Sequence, residues 1–232
     1  MNISHFDCGF PYIIIDNFYN KNELDLIWRE LDFLLDGDKF DSPSDAGAAI
    51  NDNGKLSANK KGLFLDSVYQ DRKISNILTC NRKLFTNLRA ICDYNRSWFF
   101  RYLNGNCDHT VLSYYEDEDY YDAHSDQSIM TSLTWLYKEP KKFEGGDLYF
   151  KDNIKNFSEY SEYYSTKSSE EKSSSSYLQK IEVKNNRMLI FPSMIPHLVD
   201  NVKMDSEYND KGLGRFCIAN LMNNKTSVVT TT

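Results

Sequence analysis

The spacing of apolar residues changes character near residue 95. Before that point, residues 10–18, FPYIIIDNF, form a short apolar run with three consecutive isoleucines, which predicts a buried strand. Leu24, Ile27, Trp28, Leu31, Leu34 and Leu35 then recur at helical spacing. They predict an amphipathic helix whose stripe is core packing. Asn20 with Glu23 three residues on approaches the capping-box pattern at its start. KGLFLDSVY (61–69) predicts another strand. Ile74, Ile77, Leu78, Leu84, Leu88 and Ile91 predict a second helix over 72–94, broken near Asn81.

Beyond Asn95 the pattern is that of strands. WFFRYL, HTVLSYY, IMTSLTWLY and GGDLYF are short, aromatic or β-branched, and bounded by turn residues. In the third, alternation places Ile129, Thr131, Leu133, Trp135 and Tyr137 on one face. IEV and RMLIFP flank Lys184-Asn185-Asn186, which suits a tight hairpin turn. A last strand, RFCIANLM, opens at Arg215. Gly145 and Gly146 read as a tight turn or bulge.

Two polar stretches interrupt this plan. Residues 37–61 contain SPSDAGAAINDNGK, a loop long enough to be a lid or substrate-binding segment, or a surface loop with no task. Residues 152–178, rich in serine and glutamate, cannot build a core and read as an extended insertion. The tail NNKTSVVTTT reads as a fraying end. The expected fold class is α+β, mainly β: a sandwich or jelly roll buttressed by N-terminal helices. One domain is expected over 1–232, with a supporting region at 1–95 and a β core at 96–223.

Composition narrows the function classes. The 232 residues are 41% hydrophobic, enough for a sizeable core, and no apolar run is long enough to predict a membrane span. MNISHFDCGF lacks the features of a secretion signal. Cys8, Cys80, Cys92, Cys107 and Cys217 are scattered and form no CxxC pair. That argues against a disulfide framework or thiolate zinc site and for a reducing, cytoplasmic setting. A net charge of −7 with no basic stripe argues against a nucleic-acid partner.

The candidate chemistry lies in YYEDEDYYDAHSD, residues 114–126. His124 and Asp126 are two apart, so on an extended strand both point to one face. An HxD tripeptide alone means little. His197, just past the predicted strand RMLIFP, supplies a third donor, whereas His5 and His109 have no comparable setting. Two imidazoles and one carboxylate make a facial triad, typical of non-haem Fe(II) oxygenases, with open positions opposite the ligands. Zinc hydrolases use the same donors, but commonly within HExxH on a helix, and no HExxH occurs here. Arg215 follows at a strand's head, where a guanidinium can grip a carboxylate through paired hydrogen bonds.

HSD (124–126), EGGDLYF (144–150), RMLIFPSMIPHLV (187–199) and GRFCIANL (214–221), in that order, resemble the 2-oxoglutarate- and Fe(II)-dependent dioxygenases. The nearest likeness is to the prolyl 4-hydroxylase-like branch, and it covers roughly residues 96–223. The resemblance implies a double-stranded β-helix core in which His124, Asp126 and His197 bind Fe(II) and serve catalysis. It implies that Arg215 and Tyr114 hold 2-oxoglutarate, that Leu133 and Trp135 line its pocket, and that Tyr121 borders the substrate mouth. L-ascorbate would be an auxiliary reductant. Two departures stand out. Arg215 lies eighteen residues after His197, about twice the usual spacing, so VKMDSEYNDKGLG reads as a hairpin insertion, with Lys203 and Lys211 as rival anchors. The insertion at 152–178 also widens the gap between the two histidines.

The implied activity is hydroxylation of a C–H bond with dioxygen, most simply of a prolyl residue in a peptide or protein. The alternatives are the same chemistry on a free amino acid or small metabolite, or a non-catalytic jelly-roll binding protein. The acidic run Glu116–Asp122 would border the entrance, where its charge could attract a basic substrate.

Overall fold

A computed structural model describes residues 1–37, 39–45, 54–92, 97–151 and 177–224. Its frame is an antiparallel seven-stranded sheet with a five-stranded sheet facing one side and helices covering the other. In chain order the strands are β1 (Asn2–Asp7), β2 (Pro11–Asp16), β3 (Ala58–Asn59), β4 (Lys61–Phe64), β5 (Cys107–Tyr115), β6 (Tyr120–His124) and β7 (Met130–Leu136). They continue with β8 (Phe143–Gly145), β9 (Leu148–Lys151), β10 (Tyr177–Ile181), β11 (Arg187–Pro192), β12 (His197–Val199), β13 (Val202–Met204) and β14 (Arg215–Asn223). The large sheet runs β1-β2-β11-β7-β14-β5-β4 and the smaller β10-β9-β12-β6-β3, while β13 pairs with β8 alone.

Strand periodicity sorts the side chains into two cores. On the helix side lie Leu112, Tyr114, Met188, Ile190, Phe216 and Ile218, packed against α1 (Lys21–Asp36) through Ile27, Leu31 and Leu34. Burying each such aliphatic side chain is worth about 1.5–3 kcal/mol. On the other side, Tyr115, Leu133, Trp135, Leu189, Phe191 and Cys217 meet Leu148, Phe150, Ile181 and Val199 of the small sheet. Each strand of the pair β7 and β14 therefore contributes alternate residues to a different core. This is the expected mainly-β jelly roll supported by N-terminal helices.

Local detail bears out some expectations and corrects others. Asn20 caps α1 with Glu23 in a reciprocal capping box, as its sequence predicts. KGLFLDSVY is a strand only to Phe64; Leu65–Val68 form a helical turn, α2. There Asp66 accepts the Thr110 backbone N–H at 2.8 Å, so a side chain takes over the pairing with β5 while Leu65 is buried. The helix predicted over 72–94 is α3 (Asn76–Thr86) followed by α4 (Leu88–Ile91); its break falls at Asn87, not Asn81. Asn81 is buried in mid-helix because it hydrogen-bonds Asn220 and Tyr19. WFFRYL is not a strand but opens as the helical turn α5 (Trp98–Arg101), with Phe99 and Phe100 in the helix-side core.

The expected hairpin across Lys184–Asn186 does not form. β10 pairs with β9 in the small sheet and β11 with β2 and β7 in the large one, so this turn carries the chain between sheets. Asn186 does take positive φ (58°), and its side chain bonds Tyr19 N–H and C=O. The segment after His197 is likewise no self-paired hairpin, because β13 pairs with β8. In the loop at 37–61, Asp41 bridges Gly62 and β3 extends the small sheet, while residues 38 and 46–53 lie outside the described residues. The insertion at 152–178 lies outside them up to residue 176, as does the tail from 225. No helix among the described residues is long and apolar enough to cross a membrane.

Candidate active site

The small sheet brings the two histidines together. β12 pairs with β6 so that His197 stands directly opposite His124. Asp126 follows β6 and is pinned by its backbone N–H, which donates to Ser193 C=O at 3.0 Å. One Asp126 oxygen lies 3.8 Å from His124 Nε2 and the other 3.7 Å from His197 Nε2. One donor atom from each residue falls within 4.8 Å of the other two, the only such group among the described residues.

The protonation pattern suits a cation. His124 Nδ1 lies 2.8 Å from Asp122 C=O and His197 Nδ1 lies 2.9 Å from Ile195 C=O. A carbonyl only accepts, so each Nδ1 carries the proton and each Nε2 turns its lone pair toward the common centre. Burial, and then the adjacent His197, hold His124 well below the ordinary histidine pKa, which keeps that lone pair free. Thr131, fully buried on β7, donates to Asp126 Oδ2 at 2.6 Å and orients the carboxylate. Tyr121 stacks on the His124 ring at 3.6 Å, and Phe191 meets His197 edge-on at 4.9 Å.

Beside the triad opens a cavity of about 340 Å³. Its walls include Leu133, Tyr121, Ser113, Tyr115, Cys217 and Arg215. Arg215 is fully buried, yet none of its three side-chain nitrogens has a hydrogen-bond partner. Its guanidinium carbon sits 4.6 Å from the Tyr115 ring and 5.8 Å from that of Trp135. Trp135 Nε1 is also buried without a partner. An unpaired buried guanidinium costs several kcal/mol, so this arrangement suits an anionic ligand. Gly146 makes room for it: at φ +70°, a Cβ there would lie 2.9 Å from Arg215 Cδ. The rival lysines, Lys203 and Lys211, are exposed.

Most of the expected site residues meet here, but Trp135 is packed behind Arg215 and not on the cavity wall, and Tyr114 lies elsewhere. Tyr114 lies on the helix face of β5, where its hydroxyl donates to Glu116 and accepts from Gly214 N–H. The register pairs Tyr115, not Tyr114, with Arg215. Strand parity therefore puts the neighbouring tyrosine in the cavity. The acidic run is corrected too. Glu116 is buried and bonds Tyr114, Lys61 and Asp210 N–H, and Asp119 accepts from Glu116 N–H. These residues tie a turn together, and of the run only Tyr121 lines the cavity.

Sequence reasoning missed Lys60. It is buried on the cavity wall, its Nζ donates to Ser113 Oγ at 2.9 Å, and it lies 5.4 Å from the Tyr121 ring centre. Burial pulls its pKa from the ordinary lysine value down to about 8.

Residues 110–220 match the family described as the 2OG-Fe(II) oxygenase superfamily. This stretch holds the triad and Arg215, and it is a domain of that superfamily. The family implies Fe(II), 2-oxoglutarate, dioxygen and a further substrate, and the donor set and the unpaired Arg215 suit the first two. No curated protein shows significant sequence similarity to the chain. Solved structures share its fold at low identity. A Pseudomonas putida prolyl-4-hydroxylase is 10% identical with a TM-score of 0.55, covering 93% of each chain. A Burkholderia pseudomallei oxidoreductase of the 2OG-Fe(II) oxygenase family is 8% identical with a TM-score of 0.51, covering 91% of this chain and 85% of that one. The non-heme alpha-ketoglutarate-dependent epimerase SnoN from nogalamycin biosynthesis is 7% identical with a TM-score of 0.50, covering 95% and 83%.

Proposed function

We propose that the chain is an Fe(II)- and 2-oxoglutarate-dependent dioxygenase that hydroxylates a C–H bond. In this reading His124, Asp126 and His197 hold the metal, and Arg215 pairs with the distal carboxylate of 2-oxoglutarate. The observation that carries it is a fully buried, unpaired Arg215 in the same cavity as a preorganised two-histidine, one-carboxylate set. Bound iron would let dioxygen act as the oxidant, 2-oxoglutarate supplying two electrons and leaving as succinate and carbon dioxide, with one oxygen atom going to succinate and the other to the substrate C–H.

The chain's own residues do the rest. Backbone carbonyls fix both imidazole tautomers, Thr131 aims Asp126, Leu133 keeps the cosubstrate side apolar, and Trp135 packs behind Arg215. Tyr115 takes the phenol role expected of Tyr114, and Tyr121 walls the side next to His124. L-ascorbate as auxiliary reductant is supported by the family resemblance alone. A cytoplasmic setting is supported by five free thiols. The supporting helices share a core with the main sheet, which favours one domain over 1–232.

Two substrate readings stand. Likeness to the P. putida prolyl-4-hydroxylase supports a prolyl residue in a peptide or protein. A cavity near the small end of ligand-pocket sizes, with a second buried cation, favours a small metabolite. The test of the shared chemistry is spectroscopic. Anaerobic Fe(II) with 2-oxoglutarate gives a visible charge-transfer band in the wild type and none in His124→Ala or Asp126→Ala. A wild type without the band sinks the reading.

A further inference from the structure

The cavity holds one cation more than the proposed chemistry uses. Arg215 and a divalent metal would be balanced by Asp126 and the two carboxylates of 2-oxoglutarate. Lys60 is left over. The residue is 5% exposed, and its ammonium donates to the neutral hydroxyl of Ser113. Cys217, Asp119 and Asp126 favour its charge only from beyond ion-pair distance, and Arg215 opposes it. A buried ammonium without a counter-charge is costly and is retained where a ligand supplies the charge.

Its position says which ligand. Ser113 lies on β5 two residues before Tyr115, so both face the cavity, and Lys60 reaches Ser113 from the turn between β3 and β4. Lys60 also stands over Tyr121, the ring stacked on His124. It therefore flanks the triad on the Tyr121 side, whereas Arg215 sits among Tyr115, Trp135 and Gly146. The cavity, about 340 Å³, lies near the small end of ligand-pocket sizes.

Building on the proposed 2-oxoglutarate chemistry, we infer that Lys60 and Ser113 bind a carboxylate of the primary substrate. The substrate class is then a small carboxylic acid, such as a free amino acid, and not an internal residue of a peptide. The ammonium would hold one end of the molecule while a C–H on its other end faces the metal.

The experiment has a binding arm and a turnover arm. Calorimetry on the Mn(II)-loaded protein measures 2-oxoglutarate affinity in the wild type, Lys60→Met and Lys60→Arg. Failure of the wild type to bind refutes the underlying reading, separately from the inference. Expected is binding within about threefold in both variants; a loss of tenfold or more in Lys60→Met assigns Lys60 to the cosubstrate and overturns the inference. In the Fe(II) enzyme, succinate formation is then followed with free L-amino acids and small dicarboxylic acids, each against its primary amide, and with prolyl peptides. Expected is stimulation by an acid and not by its amide. Lys60→Met should raise the half-saturating acid concentration about thirtyfold or more, and Lys60→Arg should restore part of it. Equal response to acid and amide, response only to peptides, or no response to any acid overturns it. Thermal denaturation separates this from misfolding: a Lys60 kept for binding leaves Lys60→Met at least as stable as the wild type.

Discussion

Asn220 and Arg215 stand on one strand, five residues apart, on opposite faces. Asn220 faces the helices. It accepts from Asn81 and Thr110 at 2.9 Å each, and its own amide donates to Ser132. Arg215 faces the cavity and has no partner for any side-chain nitrogen. Of six buried, unpartnered side-chain atoms among the described residues, four belong to Arg215 and Trp135. Both are fully buried, so solvent access does not explain the difference. Asn220 is completed by its own neighbours, although Thr134 on the same face keeps an unpartnered hydroxyl. Arg215 is completed by what it binds.

The largest test of that contrast is at the triad. Asp126→Ala or His197→Ala should abolish Fe(II) binding, read by calorimetry on the anaerobic protein, while the metal-free fold persists. The donors approach each other only to 3.7 and 3.8 Å, so beyond the metal site each variant loses the Thr131–Asp126 bond or the His197 contacts with Ile195 and Phe191, a cost of about 1–3 kcal/mol that the fold should survive. Loss of the fold in both variants would mean that the cluster is structural.

Next is Arg215→Met. Removing a buried charge-pairing partner should weaken 2-oxoglutarate about a hundredfold or more. The same change removes an unpaired buried charge, so the metal-free protein should melt at the wild-type temperature or above it. Destabilisation by several degrees would instead give Arg215 a structural partner in solution and erase the contrast. Asn220→Ala should do the reverse. It leaves Asn81, Thr110 and Ser132 short of partners, costing about 3 kcal/mol of stability, with 2-oxoglutarate affinity unchanged.

The same contrast explains what could be read in the sequence. Period-2 alternation in IMTSLTWLY placed Ile129, Thr131, Leu133, Trp135 and Tyr137 together; all but Ile129, which packs on the helix-side core ahead of β7, face the small sheet or the triad. Alternation gave no such help at Tyr114-Tyr115, since two adjacent tyrosines suit both cores and only the register with Arg215 decides between them. Lys60 was hidden for a related reason. It reads with Lys61 as a pair of surface charges, yet Lys61 bonds Glu116 and Asp210 while Lys60 turns inward. The helical turns at Leu65 and Trp98 span four residues each, too short for a 3.6-residue period to differ from a strand's. The destination of β10 was illegible because partner choice between two sheets depends on contacts across the whole chain. Motif order was legible because the donors sit on strand ends, whose spacing tolerates insertions between them.

The finest test falls on the boundary between the two regimes. Thr131 is fully buried like Asn220, but its hydroxyl donates to Asp126 and also contacts Ser193. Thr131→Val keeps the shape and removes the donor. Asp126 then loses the bond that fixes its rotamer, and metal affinity should fall about tenfold, at the low end for outer-shell partners. Stability of the metal-free protein should fall by only about 1 kcal/mol, the net value of one hydrogen bond, because Ser193 keeps its contact with Ser128. Titration of Fe(II) or Mn(II), paired with thermal denaturation of the metal-free protein, measures both. If stability falls while affinity holds, Thr131 belongs with Asn220 as part of the self-completed interior. If affinity falls while stability holds, the binding face extends one layer behind the donors.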